Sequence, residues 1–115
     1  MPGTLILMTK TWLGHVEAGD RAFGGTMLDR FLHTLETSAE KPAAIAFYTD
    51  GVKLVVTGSP VLLGLKVLED AGVRLLVCLS CLHYYDLESR VAVGTVAGMT
   101  DIVAAMAAAD RVITV

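Results

Sequence analysis

Val73-Arg74-Leu75-Leu76-Val77-Cys78-Leu79-Ser80-Cys81-Leu82-His83-Tyr84-Tyr85 is the stretch on which the fold turns. From Val73 to Val77 only Arg74 is polar. The run is short for a helix and the right length for a strand buried on both faces. In open α/β sheets, ligands and chemistry gather beyond the carboxyl ends of the strands, which is where Cys78 falls. The residues that follow can turn into a helix, and a thiol facing a helix N-terminus has its thiolate favoured by the peptide dipoles. Cys81, the only other cysteine in the chain, comes three residues later. The stretch predicts a strand-end thiol with a second thiol beside it.

Working outward, strands and helices alternate. Leu5-Ile6-Leu7-Met8 reads as a first buried strand, and a mixed loop from Thr9 to Gly19 leaves its carboxyl end, carrying Trp12 and His15. Trp12 either lines a pocket there or packs under the loop. Asp20 suits a helix N-cap, and Phe23, Met27, Leu28, Phe31, Leu32 and Leu35 recur at helical spacing, predicting a helix over 20–37. Gly24 and Gly25 inside it predict a close approach of that helix to the sheet. A second strand covers 43–48, and Gly51 suits a turn with positive φ at its end. The segment 52–56 fits either a short helix or an extended piece. Ser59 and Pro60 predict a helix start, and Gly72 its C′ stop. Beyond the cysteines come a short helix over 82–87, a weak strand near Val93, a helix over 101–109 capped by Thr100, and a last strand over 111–115. The 101–109 helix is nearly all small and apolar and is expected to be buried, in part against another subunit. The alternation predicts a single α/β domain over 1–115, a three-layer α/β/α sandwich around a mainly parallel five-stranded sheet.

Composition narrows the function. The chain of 115 residues is 54% hydrophobic and 18% charged, above the usual apolar share, which leaves apolar surface over for subunit contacts. A net charge of -3, with scattered basic residues, gives no electrostatic footprint for nucleic acid. No apolar stretch is long enough to span a bilayer, and Met1-Pro2-Gly3-Thr4 does not resemble a leader, so a cytoplasmic protein is expected. In a reducing compartment two cysteines point to catalysis, redox chemistry or metal binding rather than a structural disulfide. Cys78, Cys81 and His83 offer a metal at most three ligands, short of a closed tetrahedral zinc site, so no metal and no cofactor is expected. The Cys-x-x-Cys spacing also fits a thioredoxin-like dithiol, although that motif usually follows a first strand. Two inert, buried cysteines are the remaining alternative. Lys53, after Gly51, falls at the same sheet edge and offers a positive charge to an anionic group. His83 either assists a thiolate or lies at the surface. Tyr84 and Tyr85 fit a pocket wall or a subunit contact.

Several stretches together resemble the DsrE-like sulfurtransferase-related proteins, and most nearly the DsrE-like domain at the C-terminal end of the selenium-metabolism protein YedF. They are Gly19-Asp20-Arg21-Ala22-Phe23-Gly24 with Met27-Leu28 and Phe31-Leu32; Thr49-Asp50-Gly51-Val52-Lys53-Leu54 with Gly58-Ser59; Cys78-Leu79-Ser80-Cys81-Leu82; and Val93-Gly94 with Met99. The ordered set runs nearly end to end. It departs from the family at Leu79, where glycine is usual, at Gly98, where asparagine is usual, and in a longer loop from Trp12 to Ala18. The small TusA-like carrier domain found in YedF is absent from this sequence. The resemblance implies a DsrEFH-like fold, assembly into homo-oligomers, and a persulfide held on the cysteine just after a strand. Val77-Cys78 with Leu82 matches that setting, so Cys78 is the expected acceptor and Cys81 the resolving thiol; the reverse order stays open. The function implied is sulfur relay, with a cysteine desulfurase or a sulfur-carrier protein as partner. A non-catalytic ligand-binding or assembly subunit is the alternative.

Overall fold

The computed structural model describes residues 1–115. Five strands, β1 (Thr4–Met8), β2 (Ala44–Phe47), β3 (Arg74–Cys78), β4 (Thr95–Ala97) and β5 (Arg111–Thr114), form one sheet in the order β4-β3-β2-β1-β5. Every pairing is parallel, so the sheet is wholly rather than mainly parallel. The three inner strands are apolar runs because helices cover both faces: Leu5 to Met8, Ala44 to Phe47 and Leu75 to Cys78 are all buried. The helices are α1 (Arg21–Thr37), α2 (Leu62–Asp70), α3 (Leu79–Tyr84) and α4 (Met99–Ala108).

Strand order and the right-handed crossover rule assign the layers. From β1 to β2 to β3 the chain steps one way across the sheet, which puts α1 and α2 on the same face, packed side by side. From β4 to β5 it runs back across the whole sheet, which puts α4 on the other face. Leu28, Leu32 and Leu35 of α1 and Leu65 and Leu68 of α2 supply the apolar stripe over the first face.

Several local expectations move. α1 does approach a neighbour closely at Gly24, but the neighbour is the loop: a Cβ there would lie 2.7 Å from Trp12 Cβ. α2 starts at Leu62, two residues late. Ser59 Oγ accepts the Val61 N–H at 3.3 Å in a turn instead of capping a helix, because Gly58 at φ 91 and the Val56–Val91 bridge hold that segment out. Gly72 does stop α2, at φ 99. α3 begins at Leu79, directly after Cys78, and not at Leu82. The weak strand near Val93 forms at Thr95–Ala97, after Gly94 turns at φ 87. Gly98, not Thr100, precedes α4, and Asp101 Oδ2 accepts its N–H at 3.2 Å. α4 is not a buried helix: only Ile102 is buried, while Met99 and Val103 are about half exposed. One ten-residue helix crossing a five-stranded sheet finds no second helix to cover its outer side.

Candidate functional site

β3 runs through the sheet interior and gives way to α3 with no loop between them. Leu82, fully buried, anchors α3 against the core. Cys78, the last residue of β3, is the N-cap of α3 and Cys81 is its N3 residue, positions whose side chains adjoin at a helix start, and this brings the two thiols together: Cys81 Sγ–H donates to Cys78 Sγ at 3.1 Å. The two thiols differ in access. Cys78 is 2% exposed, whereas Cys81 is only partly buried and faces an open groove of about 260 Å³ bordered by Thr49, Ser80, Tyr84 and Tyr85.

A second element frames the groove. After β2 the chain makes a 3-10 turn, Thr49–Leu54, which resolves the ambiguity of 52–56 in favour of a helical turn with a bridge at Val56. Thr49 takes φ 48, an uncommon conformation for a non-glycine residue. This conformation accompanies an N–H that donates to Cys81 Sγ at 3.0 Å and a hydroxyl that donates to the Thr9 carbonyl at 3.0 Å. The positive φ expected at Gly51 therefore falls two residues earlier. Gly51 is needed for another reason: a Cβ there would sit 2.0 Å from the Met8 carbonyl oxygen. The turn lies hard against the end of β1, and only a hydrogen fits between them.

Electrostatics follow from these contacts. Burial raises the Cys81 thiol above its ordinary range, and the hydrogen bond to Cys78 adds to this; the Thr49 N–H opposes both by favouring the thiolate. The helix-dipole expectation concerns Cys78, at the start of α3; Cys81 lies inside that helix, where burial and the neighbouring sulfur outweigh the Thr49 N–H. Lys53 forms an ion pair with Asp50 at 2.6 Å and lies over the Tyr85 ring at 4.4 Å. The hydrogen bond to Asp50 is the main reason the Lys53 ammonium holds its proton more tightly than usual. The Tyr85 phenol is raised, chiefly by desolvation and then by the Asp50 carboxylate. Tyr84, 84% exposed, meets Tyr85 edge to face at 5.1 Å.

Of the residues singled out from sequence, Cys78, Cys81, Gly51 and Lys53 gather at this rim. His83 and Trp12 do not. His83 turns outward and pairs with Glu88. Trp12 packs on Gly24 with the Arg21 guanidinium 4.5 Å from its ring, the under-loop alternative. No three His, Cys, Asp or Glu side chains converge as metal ligands. Thr49 and Ser80 were missed as site residues, since neither stands out beside the thiols. The Thr-Asp-Gly turn after a strand was the available signal for Thr49. A larger cavity, about 560 Å³, opens where α1 faces the Lys53 side of the turn.

No helix is long and apolar enough to cross a membrane. The fold is similar to three solved structures. The ychN protein of E. coli matches with a TM-score of 0.68 and 14% identity over 100% of both chains. Protein MTH1491 of Methanobacterium thermoautotrophicum, of unknown function, matches at 0.68 and 16% over 97% of both chains. Protein BT1422 of Bacteroides thetaiotaomicron, also of unknown function, matches at 0.65 and 17% over 97% of this chain and 93% of its own. At such identities the likeness establishes the fold alone. No curated protein matches the chain in sequence. The family model described as DsrE/DsrF-like matches residues 20–115, a span that holds both thiols, the 3-10 turn and four of the five strands, and the chain belongs to that family.

Proposed function

We propose that this is a cytoplasmic sulfur-relay protein whose dithiol accepts a persulfide sulfur and hands it on. Cys81 is the acceptor and Cys78 the resolving thiol, the reverse of the order expected from sequence. The observation that carries this reading is the stacking of the two sulfurs, Cys81 open to a groove and Cys78 buried 3.1 Å behind it. Cys81, as thiolate, attacks the outer sulfur of a donor persulfide; the new S–S bond forms, the donor S–S bond breaks, and the donor leaves as a thiolate. The Thr49 N–H points at the sulfur that carries the charge. A recipient thiolate entering the groove then takes the terminal sulfur and regenerates Cys81. Without a recipient, Cys78 attacks Cys81 Sγ, hydrosulfide leaves, and a Cys78–Cys81 disulfide remains for a cellular thiol to reduce. Lys53, pinned by Asp50 over Tyr85, adds positive potential at the rim, and Gly51 sets the turn that carries Thr49.

The donor is a cysteine desulfurase or a small persulfide, and the recipient a sulfur-carrier protein. The chain works as one DsrE-like domain in a homo-oligomer, which the exposed apolar residues of α4 and β5 support. Incubation with polysulfide, or with a cysteine desulfurase and cysteine, followed by peptide mass spectrometry, is expected to find one added sulfur on Cys81. Cys81→Ser is expected to abolish it, and Cys78→Ser to prolong its lifetime. Sulfur gained equally by Cys81→Ser would overturn the assignment, and no sulfur on either cysteine would favour a non-catalytic subunit.

A further inference from the structure

We propose that the 560 Å³ cavity between α1 and the 3-10 turn is a binding site for a free α-amino acid with a compact apolar side chain. Its volume lies in the range of small-molecule sites. Only two charged residues line it, Asp29 from α1 and Lys53 from the turn, and they are of opposite sign. The Asp29 carboxylate makes no ion pair or hydrogen bond with the rest of the protein, so it is free to accept from an ammonium group. The Lys53 ammonium has three donors, one of which goes to Asp50, leaving others for a carboxylate. Leu28, Leu54 and Val61 form a buried apolar floor, and the Thr11 and Thr26 hydroxyls add polar points at the wall.

The charge pattern selects the ligand. A bare anion would face Asp29, and a bare cation would face Lys53. A nucleotide would need a cluster of cationic or backbone donors for its phosphates, and the lining has one lysine and no arginine. A zwitterion satisfies both charges at once, and the apolar floor favours a side chain without further charge. Gly25 keeps the space open: a Cβ there meets nothing nearer than the Thr11 carbonyl oxygen at 3.8 Å. The site also adjoins the thiols. Lys53 lies over Tyr85, and Tyr85 borders the Cys81 groove, so a bound amino acid sits within two side chains of the outer sulfur.

The probe is S-methyl-L-cysteine, which cannot exchange with the thiols. Titrated into isotope-labelled protein, it is expected to shift the Thr26 and Leu54 amides saturably. Its N-acetyl and methyl ester derivatives, each lacking one charge, are expected to bind about fivefold more weakly or worse. Asp29→Asn is expected to weaken the parent probe but not the N-acetyl derivative. Gly25→Leu, which suits a helix better than glycine, is expected to fill the cavity and abolish binding with the rest of the spectrum intact. Cys81→Ser is expected to bind as the native protein does, so failure of sulfur loading and failure of this site are read separately. No saturable shift up to about 10 mM, equal binding of both blocked derivatives, or unimpaired binding by Gly25→Leu would overturn the proposal.

Discussion

Replacing Gly51 by alanine tests how the 3-10 turn is held against the sheet. The new Cβ would lie 2.0 Å from the Met8 carbonyl oxygen and 2.7 Å from its carbon. Even a close carbon–oxygen contact needs about 3.3 Å, so the two segments must part by roughly 1 Å. Met8 cannot yield: it is 1% exposed and in register with Phe47. The turn moves instead, and it takes with it the Tyr48 N–H that donates to the Met8 carbonyl at 3.2 Å. Overpacking of this kind costs about 1–3 kcal/mol, and a lost buried backbone hydrogen bond about 1 kcal/mol more. The expected loss is therefore about 2–4 kcal/mol, seen as a lower urea midpoint at unchanged slope and a Tm lower by roughly 10 °C. The turn also carries the Thr49 N–H away from Cys81 Sγ. Because that bond favours the thiolate, the pH midpoint of Cys81 alkylation should rise. A stability change under about 0.5 kcal/mol, with an unmoved alkylation midpoint, would refute the account of how the turn is seated.

Three further outcomes are expected. Iodoacetamide should modify Cys81 well before Cys78, with a pH midpoint above that of an ordinary thiol; since the fold favours the neutral thiol, the stability this contributes is fully present below about pH 8.5 and lost as pH rises through the folded value, so native protein should lose stability to alkali more steeply than Cys81→Ser. Thr4 is fully buried and its hydroxyl has no hydrogen-bond partner, so Thr4→Val should raise the unfolding free energy by about 1 kcal/mol, read from urea midpoints. Light scattering at micromolar concentration should give a mass above the 12.2 kDa of one chain, and Val103→Lys on the open side of α4 should lower it; a monomer at every concentration would remove the case for assembly.

The layered fold was legible because its signals are local and strong. Each inner strand is an unbroken apolar run four or five residues long between helix-punctuating residues, and a run of that kind is stable only when covered on both faces. Gly72 as a helix stop and the periodic leucines of α1 likewise needed no tertiary knowledge. The boundaries that moved, at Leu62, Leu79 and Thr95, belong to short elements whose ends depend on a neighbour: the Val56–Val91 bridge delays α2, and the sheet edge decides where β4 begins.

The site divides along the same line. Spacing within one segment predicted a second thiol beside the first, and the two meet because they occupy the N-cap and N3 positions of one short helix. Which thiol meets solvent was decided by Leu82 docking into the core and by a turn 32 residues earlier in sequence, whose Thr49 N–H reaches Cys81. Lys53 could be named as a charge near the rim, and its pairing with Asp50 is local to one turn, but its seat on Tyr85 brings that turn against the end of α3, a segment about 30 residues away. Gly51 was singled out for a positive φ it does not adopt, whereas the turn needs its missing Cβ; backbone freedom and the absence of a Cβ look alike in a sequence. What one chain segment can do alone was written in its residues. Which sulfur lies outside, what stands beside it, and which side of α4 stays bare depend on packing between distant segments, and only the assembled sheet supplies that.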